Sequence, residues 1–159
     1  FSGVHRFILS CLKHYFKESD PRQITPTLKA LEYTMKLLIS SRQLYDSKNK
    51  SGNNNNNPNQ RGGPGGNFKS DLLDFFALFN ELMKKTSPGL IGAQTLALKN
   101  FSAWFSNIHQ IFTEAELSSV LSNFVRSVPL TDKKQLNSAL LNLSKSVVLG
   151  ELFSTKGLY

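Results

Sequence analysis

The chain has 159 residues, 40% hydrophobic and 11% aromatic, with a formal net charge of +8 and one cysteine. That length and apolar share suit one domain with a real core. Cys11 alone cannot close an internal disulfide, which sets aside the disulfide-stapled secreted scaffolds and favours an intracellular setting.

The chain opens Phe1-Ser2-Gly3 without Met, so it reads as an excerpt of a longer protein. No apolar run approaches the ~20 residues of a transmembrane helix. The first helical pattern, Val4 to Lys17, places Val4, Phe7, Ile8, Cys11, Leu12 and Tyr15 on one side with Phe16 at its edge. Asp20-Pro21 stops it, because proline disfavours helix in the residue before it and has no amide hydrogen. Thr25-Pro26 then opens the longest pattern, Thr25 to Tyr45, as N-cap and first-turn proline. Leu28, Leu31, Met35, Leu38 and Ile39 form one apolar stripe of this helix, and Ala30, Tyr33, Leu37 and Leu44 a second. A helix apolar on two sides is expected to have neighbours on two sides.

Residues 49–67 break the pattern. Gly52 to Asn67 contains only Gly, Asn, Pro, Gln and Arg, and nothing in it can offset the entropy of ordering by burying apolar surface. It reads as a disordered Asn/Gly-rich insertion in a surface loop. The third helix, Phe68 to Met83, gathers Phe68, Leu72, Phe75, Phe76, Leu78, Phe79, Leu82 and Met83 into one face, and Ser87-Pro88-Gly89 ends it. A fourth pattern from about Ile91 to Phe112 aligns Ala97, Leu98, Phe101, Trp104, Phe105, Ile108, Ile111 and Phe112. Thr113-Glu114-Ala115-Glu116 is a capping box opening a fifth helix with Leu117, Val120, Leu121, Phe124, Val125 and Val128 inward. Pro129 closes it, and Thr131-Asp132 caps a sixth with Leu136, Ala139, Leu140, Leu143 and Val147 inward.

Every segment has helical period and none alternates as a strand would. The class is therefore all-α: residues 1–159 form a single helical domain, an irregular armadillo/HEAT-like repeat of about three antiparallel hairpins, with a compact helical bundle as the alternative.

Chemistry-bearing residues are few. His14 follows Cys11 by three positions, but no third or fourth Cys or His is near in sequence, so a partly buried helix pair is expected and no metal site. His5 and His109 lie beside apolar stripes, where a hydrogen-bonded structural histidine is the default. Asp71, Asp74, Glu114 and Glu116 sit in the first turns of helices and complement their dipoles. No nucleophile, base and orienting acid cluster, and Gly62 to Gly66 is linker and not a phosphate cradle. No catalytic, cofactor-binding or metal-binding residue is expected.

Residues 1 to 50 hold nine Lys/Arg against four Asp/Glu. Arg6, Lys13 and Lys17 share a helix face, read as a solvated surface; no aromatics interleave with them, and nucleic-acid binding is not expected. Three Asn-x-Ser sequons, at Asn49, Asn100 and Asn142, are read as chance in a chain rich in Asn and Ser. Arg42 is the oddest residue, since it falls inside the main stripe of the second helix; it is expected to pair with an acid or carbonyl of an adjacent helix, or to snorkel.

The stretch LKALEYTMKLLISSRQLY at Leu28 to Tyr45, then FKSDLLDFFALFNELMKK, then LALKNFSAWFSNIHQIFTEAELSSVLSNFVRSVP, resembles the dedicator-of-cytokinesis (DOCK) family. The likeness is to its helical-repeat region, between the phosphoinositide-binding region and the C-terminal catalytic exchange region. It is sharpest at Glu32-Tyr33, Ser41-Arg42 and Leu44-Tyr45, and the Asn/Gly insertion departs from the family's usual linker. The resemblance implies a parent that is a guanine-nucleotide exchange factor for Rho/Rac-type GTPases, working with ELMO-type scaffold partners, cytoplasmic and recruited to the plasma membrane. This segment would then be a non-catalytic scaffold contacting neighbouring regions of its own chain, with membrane contact through other regions. The alternative is a helical module that docks a regulatory partner and is not linked to exchange.

Overall fold

The computed structural model describes residues 4–18, 20, 23–51, 68–105, 107–130 and 132–149. Among them are six helices: α1 (Val4–Glu18), α2 (Thr25–Ser51), α3 (Phe68–Lys84), α4 (Ile91–Phe105), α5 (Glu114–Ser127) and α6 (Lys134–Leu149). Single 3-10 turns at Pro88–Leu90 and Ile108–Gln110 precede α4 and follow it; the described residues contain no strand.

The packing is row-wise. The odd helices stack α1 on α3 on α5, and the even ones α2 on α4 on α6, with α1 also against α2. Each helix thus lies most closely against the one two places along. A bundle would centre all six on one axis; two parallel rows are the arrangement of a helical solenoid, in which each repeat leans on its neighbour. The helical-repeat expectation holds in this form.

The stripes of α3, α5 and α6 pack as their periodicity predicts. Phe68, Leu72, Phe75, Phe76, Phe79, Leu82 and Met83 are buried on α3, with Leu117, Val120 and Phe124 on α5 and Leu136, Ala139, Leu143 and Val147 on α6. Aromatic rings run through this interior. Phe16 of α1 meets Phe75 edge-on at 5.3 Å, Phe75 adjoins Phe79 at 6.1 Å, and Phe79 stacks on Phe124 of α5 at 5.6 Å. Phe124 lies face to face with Phe101 of α4, centroids 3.9 Å apart and planes 6° from parallel. Phe101 in turn stacks on Phe105. The chain of rings joins the odd row to the even row.

Three expectations are corrected. On α1 the buried residues are His5, Leu9, Leu12 and Phe16, whereas Phe7 is 72% exposed and Cys11 is exposed. Phe7 lies about 200° around the helix from Leu9. Both directions are apolar, and the demand of Phe75 and Phe79 for Phe16 selects between them. On α2 the main stripe is buried, but the second is not: Tyr33 is 72% exposed, Leu37 56% and Leu44 65%. Among the described residues the neighbours α1 and α4 cover the main stripe and none covers the second. Finally, the fourth helix stops at Phe105 instead of running to Phe112. Asn107 donates its side-chain amide to Ala103 O at 2.9 Å, so a local side-chain bond takes over a carbonyl that another turn of helix would have used.

Helix ends shift by a residue or more. Leu28 N donates to Ile24 O, which makes Ile24 the N-cap of α2 and Thr25 its first residue. α2 runs on to Ser51 and so takes in the start of the expected insertion; residues 52–67 lie outside the described residues. Asn137 N donates to Lys133 O, placing the cap of α6 at Lys133, one past Asp132. Thr131 lies outside the described residues. The capping box at Thr113 and Glu116 is present in full.

Two side-chain amides, one buried and one half-buried, tie backbone to backbone. Gln94 of α4 is 2% exposed. Its Nε2 faces the carbonyls of Leu82, Met83 and Lys85 at 3.2, 3.1 and 2.6 Å, where α3 runs out of internal donors. Asn100 Nδ2 donates to Leu28 O across α4 and α2 at 3.1 Å, so the nitrogen of the second sequon is already engaged.

Truncating Phe124→Ala removes the ring that couples the rows and is expected to cost about 3–5 kcal/mol in chemical denaturation. Gln94→Leu, which orphans buried carbonyls, is expected to cost about 1–3 kcal/mol. Gln94→Glu turns a carboxylate toward the same oxygens and is expected to cost more.

Candidate functional site

Two of the residues singled out in the sequence, His5 and Arg42, come together at the corner where α1, α2 and α3 meet. His5 is fully buried, its ring edge-on to Tyr45 at 5.4 Å and to Phe68 at 5.1 Å. Arg42 sits beside it. Its guanidinium lies over the rings of Tyr45 (5.8 Å) and Phe68 (5.3 Å), and its Nε donates to Asp46 Oδ2 at 2.8 Å. An acid partner for Arg42 therefore stands one turn along its own helix, where an adjacent helix was expected, and the neighbour α3 contributes an aromatic face. Placement inside the apolar stripe follows, since a weakly hydrated guanidinium over a ring is partly shielded from water.

Among the described residues neither ring nitrogen of His5 has a hydrogen-bond partner, against the expectation of a bonded structural histidine. Burial is the main reason that its pKa lies below 6.5; the charges of Arg42 and Arg6 push the same way, and Asp46 opposes them. The neutral imidazole packs as a small aromatic ring.

Cys11 and His14 are both exposed, not partly buried. Among the described residues no group of three or more His, Cys, Asp or Glu could hold a metal ion. Asp71 and Glu116 stand in the first turns of their helices as expected, and with Asp74 they also bridge helices. Lys13 Nζ reaches Asp71 at 2.9 Å and Asp74 at 3.0 Å, tying α1 to α3. Lys69 reaches Glu116 at 2.6 Å, tying α3 to α5, with its ammonium over Phe112. Lys13 is thus not part of a free basic stripe with Arg6 and Lys17. The ammonium of Lys69 first, and the backbone amide of Thr113 second, hold the Glu116 carboxyl at about 2. Gln43 of α2 bonds Gln110 in the 3-10 turn after α4.

An open cavity of about 730 Å³ at the α5–α6 end is lined by Leu130, Asp132, Asn137, Leu140, Leu141 and Ser144. Among the described residues Asp132 is its one ionisable lining residue, so they assemble no acid–base pair there. Sequence reasoning found Arg42, Thr113 and Glu116. It missed Gln94 and the unbonded state of His5, which depend on what the fold brings near.

Two rows of stacked helices cross-linked by rings, ion pairs and amides define an α-helical repeat protein. The family model for the dedicator of cytokinesis (DOCK) TPR region matches residues 3–158. The chain belongs to the DOCK family and represents its TPR region. No solved structure matches the chain.

The two titrating groups lose their contributions in different pH windows. His5 binds its proton more weakly folded than unfolded, so stability is full above pH 6.5 and falls as pH drops below it. His5→Phe, which keeps a ring and removes the charge, is expected to flatten urea midpoints between about pH 7 and pH 5. The Glu116 contribution is full above 4.5 and is lost as pH falls from there toward about 2. Glu116→Gln is expected to remove that acid limb and leave the His5 limb intact.

Proposed function

We propose that this segment is a non-catalytic spacer in a guanine-nucleotide exchange factor for Rho/Rac-type GTPases, holding a membrane-binding region and a GTPase-binding region at fixed distance and angle. The observation that carries the reading is the cross-linking of each repeat to the next. The Phe124–Phe101 stack joins the rows, Lys13 and Lys69 bridge the odd helices, and Gln94 and Asn100 bolt α4 to the backbones of α3 and α2. A spacer that transmits geometry must resist bending between repeats, and these are the contacts that oppose it.

Family membership supports the exchange-factor parent, since the segment is one region of a DOCK protein. In that setting the parent works in the cytoplasm, is recruited to the plasma membrane and engages an ELMO-type scaffold, while this segment contacts neighbouring regions of its own chain. No residue here takes part in exchange.

The test is nucleotide exchange by the parent with and without membranes, comparing the intact protein with one whose segment is replaced by a flexible Gly/Ser linker of equal span. Membrane-stimulated exchange is expected to fall while exchange in solution is kept. Unchanged stimulation by membranes would sink the spacer reading.

A further inference from the structure

The net charge is not spread over the fold. Helices α1, α3 and α5 carry six Lys/Arg and six Asp/Glu, a balance of zero. Helices α2, α4 and α6 carry eight Lys/Arg against two Asp/Glu, a net of +6, with no acid at all on α4 or α6. The two acids of the even row are both engaged within α2, Glu32 by Lys36 and Asp46 by Arg42. Lys29, Lys48 and Lys99 are exposed and form no ion pair among the described residues.

The same row presents the unburied apolar stripe of α2. Tyr33, Leu37 and Leu44 are each more than half exposed, and their spacing of four and then seven residues keeps them within about 40° of arc on one helix face. Ala30 and Lys48 extend that line, and Lys29, Lys36, Ser40, Gln43 and Ser47 flank it, all of them exposed.

We propose that this outer face of α2 docks an acidic amphipathic helix of a protein partner. Three anchors in a line along a fixed helix are what a facing helix reads with residues at i, i+4 and i+11. Tyrosine is among the residues that most often dominate such contacts. The surrounding unpaired ammonium groups select carboxylates on the partner's flanks and reject basic helices. A bilayer fits the face less well: interfacial helices bury a broad apolar surface rich in Trp, Phe and Leu, and here single anchors alternate with Ser and Gln. The docking face stands apart from the spacer reading, since a rigid spacer need bind nothing on α2.

The probe is a conformationally stapled helical peptide with Leu at i, i+4 and i+11 and Glu on its flanks, titrated onto the chain and followed by fluorescence anisotropy. Saturable binding is expected, weakening with added salt. Affinity should drop about tenfold or more, equivalent to about 1.4 kcal/mol, in Leu37→Ser/Leu44→Ser and in Lys29→Glu/Lys48→Glu. Because these side chains are exposed, unchanged circular dichroism and urea midpoints would show that both variants fold. The proposal is overturned by absent binding, by equal binding of a peptide with Lys in place of Glu, or by equal binding to the variants. Stripe-dependent attachment to phosphatidylserine vesicles would overturn it in favour of a membrane face, and stripe-dependent dimerisation in sedimentation in favour of a second copy. These binding outcomes leave the exchange assay on the linker-replaced parent untouched, so either reading can fail alone.

Discussion

The contact on which the architecture turns is the face-to-face stack of Phe101 on Phe124. Within a row, helices are held by leucine and valine stripes that could slide by a turn at modest cost. Between rows the rings do what aliphatic side chains do poorly: a flat surface meets a flat surface in one orientation, and the partners Phe79 and Phe105 fix each ring from behind. The register of α4 against α5 sets that of α3, through Phe79, and then of α1, through Phe75 and Phe16. Interior density leaves little room for a second arrangement.

Ion pairs and amides decorate this frame and do not replace it. Lys13 and Lys69 bridge helices while still partly in water, where screening keeps such pairs weak singly. Their value is geometric: both acids of α3's first two turns are turned toward one ammonium of α1. The amide of Gln94 has a different role. It is buried, it answers carbonyls that no backbone amide reaches, and its loss would leave them without water.

Local pattern recovers what local physics controls. Six helices, their breaks at Pro21, Pro88 and Pro129, and the Thr113–Glu116 capping box are all visible in the sequence, because proline and capping chemistry act within a few residues. The stripes of α3, α5 and α6 are visible too, being apolar in one direction only. The α1 and α2 faces were misread for a shared reason: both helices are apolar in two directions. Periodicity cannot say which is covered; the position of Phe75 decides for α1, and the placement of α1 and α4 against the main stripe decides for α2. Among candidate site residues, Arg42 stood out as a charge within a stripe, but the ring of Phe68 that receives it lies 26 positions away in sequence. Gln94 gave no signal, because an amide on a helix looks alike whether it faces solvent or the end of another helix.

Row-wise stacking carries a consequence for how this chain opens. In these residues α3 and α4 have row neighbours on both sides, while α1, α2, α5 and α6 have one each. In such a nearest-neighbour assembly an element's resistance to local opening scales with the number of interfaces it must break. α1 and α2 also pack on each other, and α5 meets α4 through the Phe124–Phe101 stack, so α6, with α4 as its one extensive partner among the described residues, would exchange its amide hydrogens first and α3 and α4 late. Whatever abuts α6 in the parent would then determine whether the array behaves as a stiff rod or as one that frays from a single end.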